Sequence, residues 1–326
     1  MSLKYGGRTQ PGTMVSTWLN SLVSGTAPFN GGYFCGGDPS GSGDQLNTIH
    51  KFAFPSDART LLSAVLSVPR ETLAGFADGG VAGYIAGGQR TYTSTWTIAT
   101  VDKVSFIYET LSTLGTGLSA ARNYVKGMAN SGTAGYVGGG GSSSGTTTVD
   151  KFAFSNDSRS TLGTGMSVSR YGTSGMANSG TAGYFCGGYT SGWGRTDVVD
   201  KFAFSNDGRS TLSTGLTAGV GVPAAMANSG TAGYVCGGVT SSGVTTVDKF
   251  AFSDDSRTTL GTGLSTGRYG GAAMADSGTA GYVGGDGNHV TVIDKFAFSD
   301  DGRTTLSVGL AVGTAQLTAM GNSGTL

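Results

Sequence analysis

Residues 128–140 read MANSGTAGYVGGG, and close copies follow as MANSGTAGYFCGG at 176–188, MANSGTAGYVCGG at 226–238 and MADSGTAGYVGGD at 274–286. Alignment on the Gly-Tyr pair places Tyr33, Tyr84, Tyr136, Tyr184, Tyr234 and Tyr282 in one register, with spacings of 51, 52, 48, 50 and 48 residues. A fixed period of this length marks a chain built from one repeated supersecondary unit. Each unit runs through four blocks, which in the fifth are AAMANSG (224–230), AGYVCGG (232–238), TTVDKFAFSDD (245–255) and SRTTLGTGL (256–264). The blocks are short, rich in Val, Phe, Tyr and Thr, and carry no 3.6-residue stripe, so they read as strands. Turn chemistry separates them: NSGT or DSGT after the first, SNDG, SDDG or SDDS after the third. The Asp207-Gly208 and Asp301-Gly302 pairs predict tight hairpins. Four antiparallel strands per unit of this length make a blade of a β-propeller.

Composition agrees. Sixty of the 326 residues are glycine, yet 37% are hydrophobic and 10% aromatic, so the chain can bury a core and its glycines belong to turns and close backbone contacts. Charged residues make up 12% and the formal net charge is zero, which gives no electrostatic footprint for nucleic acid. The sequence shows no signal-peptide pattern and no apolar run long enough to span a membrane, so a chain made in the cytoplasm without membrane insertion is expected. Three cysteines imply no disulfide framework.

The blade resembles the kelch type. The residues that carry the likeness are the Gly-Gly pairs from Gly36-Gly37 to Gly284-Gly285, the KFAF phenylalanines, and an Arg leading into the next blade at Arg70, Arg122, Arg170 and Arg268. That Arg is absent from TAGVGVPAAM (217–226) and AVGTAQLTAM (311–320), and Leu replaces the family's Trp after the third strand. The resemblance covers about residues 31–326 and implies an all-β propeller of four-stranded antiparallel blades. The last block, LTAMGNSGTL (317–326), is a first strand with no second, while the first unit starts at NGGYFCGG (30–37) with no first strand. Pairing the two closes a ring of six blades and removes the exposed sheet edges. Residues 1–30 fall outside the repeat: Tyr5 stands only 28 residues before Tyr33, too few for a further blade. They are expected to form an arm, with Tyr5, Trp18 and Leu19 as its docking or capping anchors, next to a propeller at 31–326.

The repeat also directs the search for chemistry, because function should break it. Asp-Lys recurs in the third block from Asp102-Lys103 to Asp294-Lys295, with His50-Lys51 in the first unit, and is expected to make ion pairs and hydrogen bonds between neighbouring blades. Cys35, Cys186 and Cys236 share one slot with Ala86, Gly138 and Gly284, as small buried residues do. The hairpin SNDGRSTL (205–212) resembles the Asp-box of sialidase-type propellers, which in that family is a folding element. The acidic runs lack the alternating ligands of a calcium loop. The copper site of galactose-oxidase-like propellers, a related kelch enzyme, would need two histidines on one metal, and His50 opens a strand while His289 lies in a loop. No catalytic residues, metal or cofactor are therefore expected.

What varies is the loop between the second and third strands, which shares a face with the blade connections. Its distinctive residues are Tyr92 and Trp96 in QRTYTSTWTIAT (89–100), Tyr189 and Trp193 in YTSGWGRTD (189–197) and His289 in DGNH (286–289), all read as ligand- or partner-binding. The carboxylates Asp38, Asp44, Asp197 and Asp286 are scattered over different loops of that face. In texture the chain is similar to kelch-like virion proteins of tailed bacteriophages: tail fibre, baseplate or decoration components. That resemblance implies a non-enzymatic structural protein located in the virion. Its arm would engage other virion subunits, and its loops would recognise a protein, receptor or glycan on the host surface. The alternative expectation is a lectin or glycosidase using the same face.

Overall fold

The computed structural model describes residues 30–39, 44–90, 96–141 and 144–322, and forms a six-bladed β-propeller of four-stranded antiparallel sheets. The fourth blade shows the plan. Strand β12 (Ser174–Asn178) lies at the axis, followed outward by β13 (Ala182–Cys186), β14 (Val199–Ala203) and β15 (Gly208–Thr211). In the first blade the inner strand comes from the other end of the chain: β24 (Thr318–Gly321) pairs antiparallel with β1 (Gly31–Cys35), in the register Tyr33↔Met320. That register matches Met176↔Tyr184 in the fourth blade, so the closing blade has the geometry of an uninterrupted one. The expected arm, with Tyr5, Trp18 and Leu19, lies outside the described residues.

Neighbouring blades meet through small residues. Met128 on an inner strand lies over Gly183 of the next blade, and Met176 lies over Gly233 in the same way. A Cβ on either glycine would overlap the thioether sulfur. The Gly of AGY is therefore a packing requirement, set by how closely two blades approach. The cysteine slot behaves as expected: Cys35, Cys186 and Cys236 are free and at most 1% exposed.

Further out, each blade is clamped to the next. Tyr136 donates its hydroxyl proton to Asp207 Oδ1 at 2.8 Å, and Lys151 Nζ donates to Asp207 Oδ2 at 2.7 Å. The Tyr136 ring stacks on Phe204 with centroids 5.2 Å apart. The same groups recur at Tyr84/Lys103–Asp157, Tyr184/Lys201–Asp255, Tyr234/Lys249–Asp301 and, across the closure, Tyr282/Lys295–Asp57. Between the first and second blades Glu109 takes the Asp position and pairs with Lys51, Phe106 stacks on Tyr33, and the Tyr33 hydroxyl is left without a hydrogen-bond partner.

This clamp corrects the hairpin expectation. The left-handed residue of the turn is the Asp itself, with φ 56° at Asp207 and 57° at Asp301, and not the following Gly. Asp tolerates that conformation, and there its carboxylate reaches the adjacent blade. The next position needs no positive φ, which is why Ser158 and Ser256 serve as well as Gly208.

The Asp-Lys pair divides its work. Lys makes the clamp, while Asp turns inward to the Arg that enters the blade: Arg170 Nη2 donates to Asp200 Oδ2 at 2.5 Å and its Nη1 to the carbonyls of Gly187 and Val198 at 2.9 and 2.8 Å. The Arg170 carbonyl meanwhile accepts from Gly140 N of the preceding blade at 3.0 Å, so one residue joins two blades. Arg170 and Asp200 are both 0% exposed. Arg170→Met strands the Asp200 carboxylate and is expected to cost about 3–5 kcal/mol. Lys151→Met breaks a partly exposed pair and is expected to cost about 1 kcal/mol or less. Denaturant unfolding of both variants checks the ranking, and equal losses would contradict it.

Candidate functional site

Each inner strand starts where the second strand of its blade ends, as Ser174↔Cys186 shows, so the variable loops and the blade connections share one face of the disc. The repeated turns lie on the other face, where they form a structural ring. Gly180 N donates to Asn130 Oδ1 and Gly230 N to Asn178 Oδ1, each at 2.8 Å, and Ser131 N donates to Ser179 Oγ at 3.0 Å. The constancy of NSGT is thus accounted for by blade-to-blade bonding.

A second ring surrounds the axis on the loop face. Thr72, Tyr124, Gly172, Val222, Gly270 and Gln316 follow one another around it, all at positive φ between 43° and 66°. Val222 N donates to Gly172 O (2.8 Å), Gly270 N to Val222 O (2.9 Å), Gln316 N to Gly270 O (2.7 Å) and Thr72 N to Gln316 O (2.8 Å). Glycine suits such a position, and two blades have it. Thr, Tyr, Val and Gln in the other four store strain of about 1–3 kcal/mol each. Their side chains pack into the collar: Thr72 and Val222 are buried, and Val222 and Tyr124 pack with Tyr171 and Tyr189.

Inside this collar lies a cavity of about 30 Å³ walled by the first two residues of the inner strands, among them Gly75, Ser174, Ala224, Ala272 and Thr318. In the third blade that position is Lys126, where its counterparts are Ala74, Ser174, Ala224, Ala272 and Thr318. Burial lowers the Lys126 pKa from 10.5 to about 8. The sequence reading passed over it, although a single Lys among five small residues at one repeat position was the available signal.

On one side of the mouth stand aromatic rings. Tyr171 stacks on Tyr189 at 5.3 Å, Tyr124 meets Tyr171 edge-on at 5.9 Å, and Trp193 stands edge-on to Tyr171 and Tyr189 at 5.7 and 5.4 Å. Tyr189, expected as an exposed contact, is 8% exposed: bridges Tyr171↔Tyr189 and Tyr189↔Arg195 fold its loop back onto the collar, where the ring becomes a floor. Trp193 is its exposed edge at 59%, and the Arg195 guanidinium lies 5.8 Å from the Tyr189 ring centre. Trp96 is also exposed, at 62%, on a different loop, and Tyr92 lies outside the described residues. Tyr124 and Tyr171 come from blade connections, not from the loops the sequence analysis singled out.

Polar groups occupy the other side. His289 Nε2 stands 3.5 Å from Asp38 Oδ2, joining the sixth blade to the first. Glu71, also from a blade connection, accepts from Gln89 Nε2 at 2.8 Å, and Asn123 Nδ2 donates to Gln89 Oε1 at 2.5 Å. Burial pushes the Glu71 carboxyl above its usual range, with Asp38 adding to the shift. Asp286 is committed locally, accepting from Tyr269 N and Asn288 Nδ2. Among the described residues no group of three or more His, Cys, Asp or Glu side chains is placed to hold a metal ion, and no helix is long and apolar enough to cross a membrane.

No protein-family model matches the sequence, and no curated protein matches it. Among solved structures the chain is similar to YjhT, with 16% identity and a TM-score of 0.66 over 86% of this chain and 98% of that one. At that identity the likeness establishes the propeller fold alone. In all, 443 chains of solved structures match, so the architecture is a common one and selects no function by itself.

Lys126 is expected to be acylated by an amine reagent with a midpoint near pH 8, below the ordinary lysines, as peptide mapping would report. The unfolded chain holds that proton up to its ordinary pKa of 10.5 while the folded chain releases it near 8, so stability should rise between about pH 8 and 10.5. A Lys126→Met variant should lack that rise. Labelling that tracks the other lysines would contradict the assignment.

Proposed function

We propose that the chain is a non-enzymatic recognition propeller of a larger assembly, which docks through residues 1–30 and presents its loop face to a protein or surface partner. The observation that carries this reading is the collar. Four of six blades hold strained non-glycine residues around one mouth, and beside it stands an aromatic cluster with Trp193 exposed at its edge. Strain concentrated on a single face is a mark of a functional surface, and exposed tryptophans favour contact with other molecules. The setting we propose is a phage virion, on the strength of the near-identical repeats and low charge of the chain. The opposite face, bonded turn to turn, supplies rigidity.

A lectin or glycosidase is the second reading, favoured by one observation: Trp193 stands over a tyrosine floor on one side of the mouth and the polar group of Asp38, Glu71 and His289 stands on the other, so that one face offers both stacking and hydrogen-bonding partners for a sugar.

Capture of partners from source particles or lysate, using the full chain and a version lacking residues 1–30, tests the first reading. The shortened propeller is expected to fold and to lose a specific protein partner. Trp193→Ala and Trp96→Ala should weaken surface recognition by about tenfold or more each while leaving docking intact. Unchanged capture by the shortened chain would overturn the docking role. Glycan binding lost in Trp193→Ala, with no protein partner captured, would install the second reading in its place.

A further inference from the structure

Four blades seat a guanidinium in the same buried cradle. Arg122 donates to the Gly139 carbonyl, the Thr148 carbonyl and Asp150 at 2.6, 3.2 and 2.6 Å. Arg170 repeats this set at Gly187, Val198 and Asp200, and Arg70 and Arg268 make the corresponding contacts to Asp102 and Asp294. The first blade has neither partner: Thr314 stands for the Arg and His50 for the Asp. The fifth blade is different, because Val220 replaces the Arg while the carboxylate remains as Asp248.

Asp248 is 4% exposed and keeps its other contacts. It accepts from Thr217 N at 2.7 Å, Thr217 Oγ1 at 2.5 Å and Thr259 Oγ1 at 2.7 Å. Arg257, on the outer strand, stands 3.4 Å from Oδ1, as Arg303 does from Asp294. What has gone is the inner cation alone. In its place is a cavity of about 60 Å³ bordered by Asp248, Thr246, Gly237, Val220, Val244 and Thr240. A water needs only about 10–15 Å³ measured in this way. Gly237, Thr246 and Asp248 correspond one for one to Gly139, Thr148 and Asp150, and the local backbone agrees: Gly237 N donates to Thr246 O at 2.8 Å where Gly139 N donates to Thr148 O at 3.0 Å. Exposed Thr217 and Ala218 form part of the wall, so the cavity is reached from solvent. With Arg257 retained at the outer edge, Asp248 lacks only its inner cation, and a buried carboxylate oxygen left facing an empty cradle is costly unless something fills it.

We propose that this cavity binds a guanidinium group supplied from outside the chain, either the arginine side chain of a partner protein or a free alkylguanidinium compound. The carboxylate would hold one edge of the planar group and the two carbonyls the other, as they do for the chain's own arginines, while Val220 and Val244 pack against the alkyl stem. This site lies within one blade and does not depend on the recognition reading above.

The test is calorimetric titration of the full chain with methylguanidinium, with methylammonium as the comparison, and thermal unfolding with and without each. Methylguanidinium should bind and raise the midpoint by a few degrees, and methylammonium should do so at least tenfold less well. Asp248→Asn should abolish the response. Val220→Arg should fill the cradle from within, raise the midpoint without ligand and no longer respond to it. Absence of methylguanidinium binding to the unsubstituted chain, or equal binding of methylammonium, would overturn the proposal whatever the variants do. An arginine-containing peptide that binds at least tenfold tighter than methylguanidinium identifies a partner's side chain as the source, and equal binding identifies a small compound.

Discussion

Ring closure is the constraint from which most of this structure follows. Six sheets meeting at one axis must each present the same joint to both neighbours, and the last must fit the first. The chain meets this by splitting one blade between its ends, so that β24 and β1 pair as any inner and second strand do. The joint recurs from blade to blade: a Met over a Gly near the axis, with Phe76 in the Met position of the second blade, and farther out a Tyr and a Lys gripping the Phe and the acidic residue of the next hairpin. Small residues at the centre and large ones outside suit wedges that widen with radius. Much of the glycine content answers to this geometry.

Because the joint is repeated, departures from it carry information. Glu109 for Asp and the unpartnered Tyr33 hydroxyl mark the junction of the first two blades as an altered copy. Loss of both Arg and Asp in the first blade removes a buried charge pair together, and a balanced removal of that kind can be close to neutral in stability. Loss of Arg alone in the fifth blade leaves Asp248 facing a cavity. On the collar, replacement of Gly by Thr, Tyr, Val and Gln runs against backbone preference at four neighbouring points on one face. The turn face drifts less, because the Asn, Asp and Ser of its turns bond the adjacent blade, and where the second blade has Asp78-Gly79 instead of Asn-Ser the Asp78 carboxylate still accepts from Gly132 N.

The loop face therefore combines a rigid base with varied decoration. Lys126 sits in the channel mouth with its charge weakened by burial, aromatic rings stand on one side, and Asp38, His289, Glu71 and Gln89 stand on the other. Lys126, Tyr124, Tyr171 and Glu71 lie in the inner strands and the connections leading into them, segments whose repeat reads first as structural.

The sequence by itself determined the fold, the six-fold count and the closing strand. A 50-residue period of short β-rich blocks bounded by turn residues has few other solutions, and the two half-blades at the ends dictate how the ring is completed. It also picked out Trp193 and Trp96, because they interrupt a repeat. Only the tertiary structure decided what those interruptions face. Tyr189 belongs to the floor and not the surface because bridges to Tyr171 and Arg195 turn its loop inward. Lys126, Tyr124 and Glu71 are defined by neighbours from other strands and blades, and the cavity beside Asp248 by a missing side chain in a cradle seen elsewhere in the same molecule. A linear motif describes what a residue is next to in the chain. In a propeller, the functional surface is set by which residues from different blades converge at the axis.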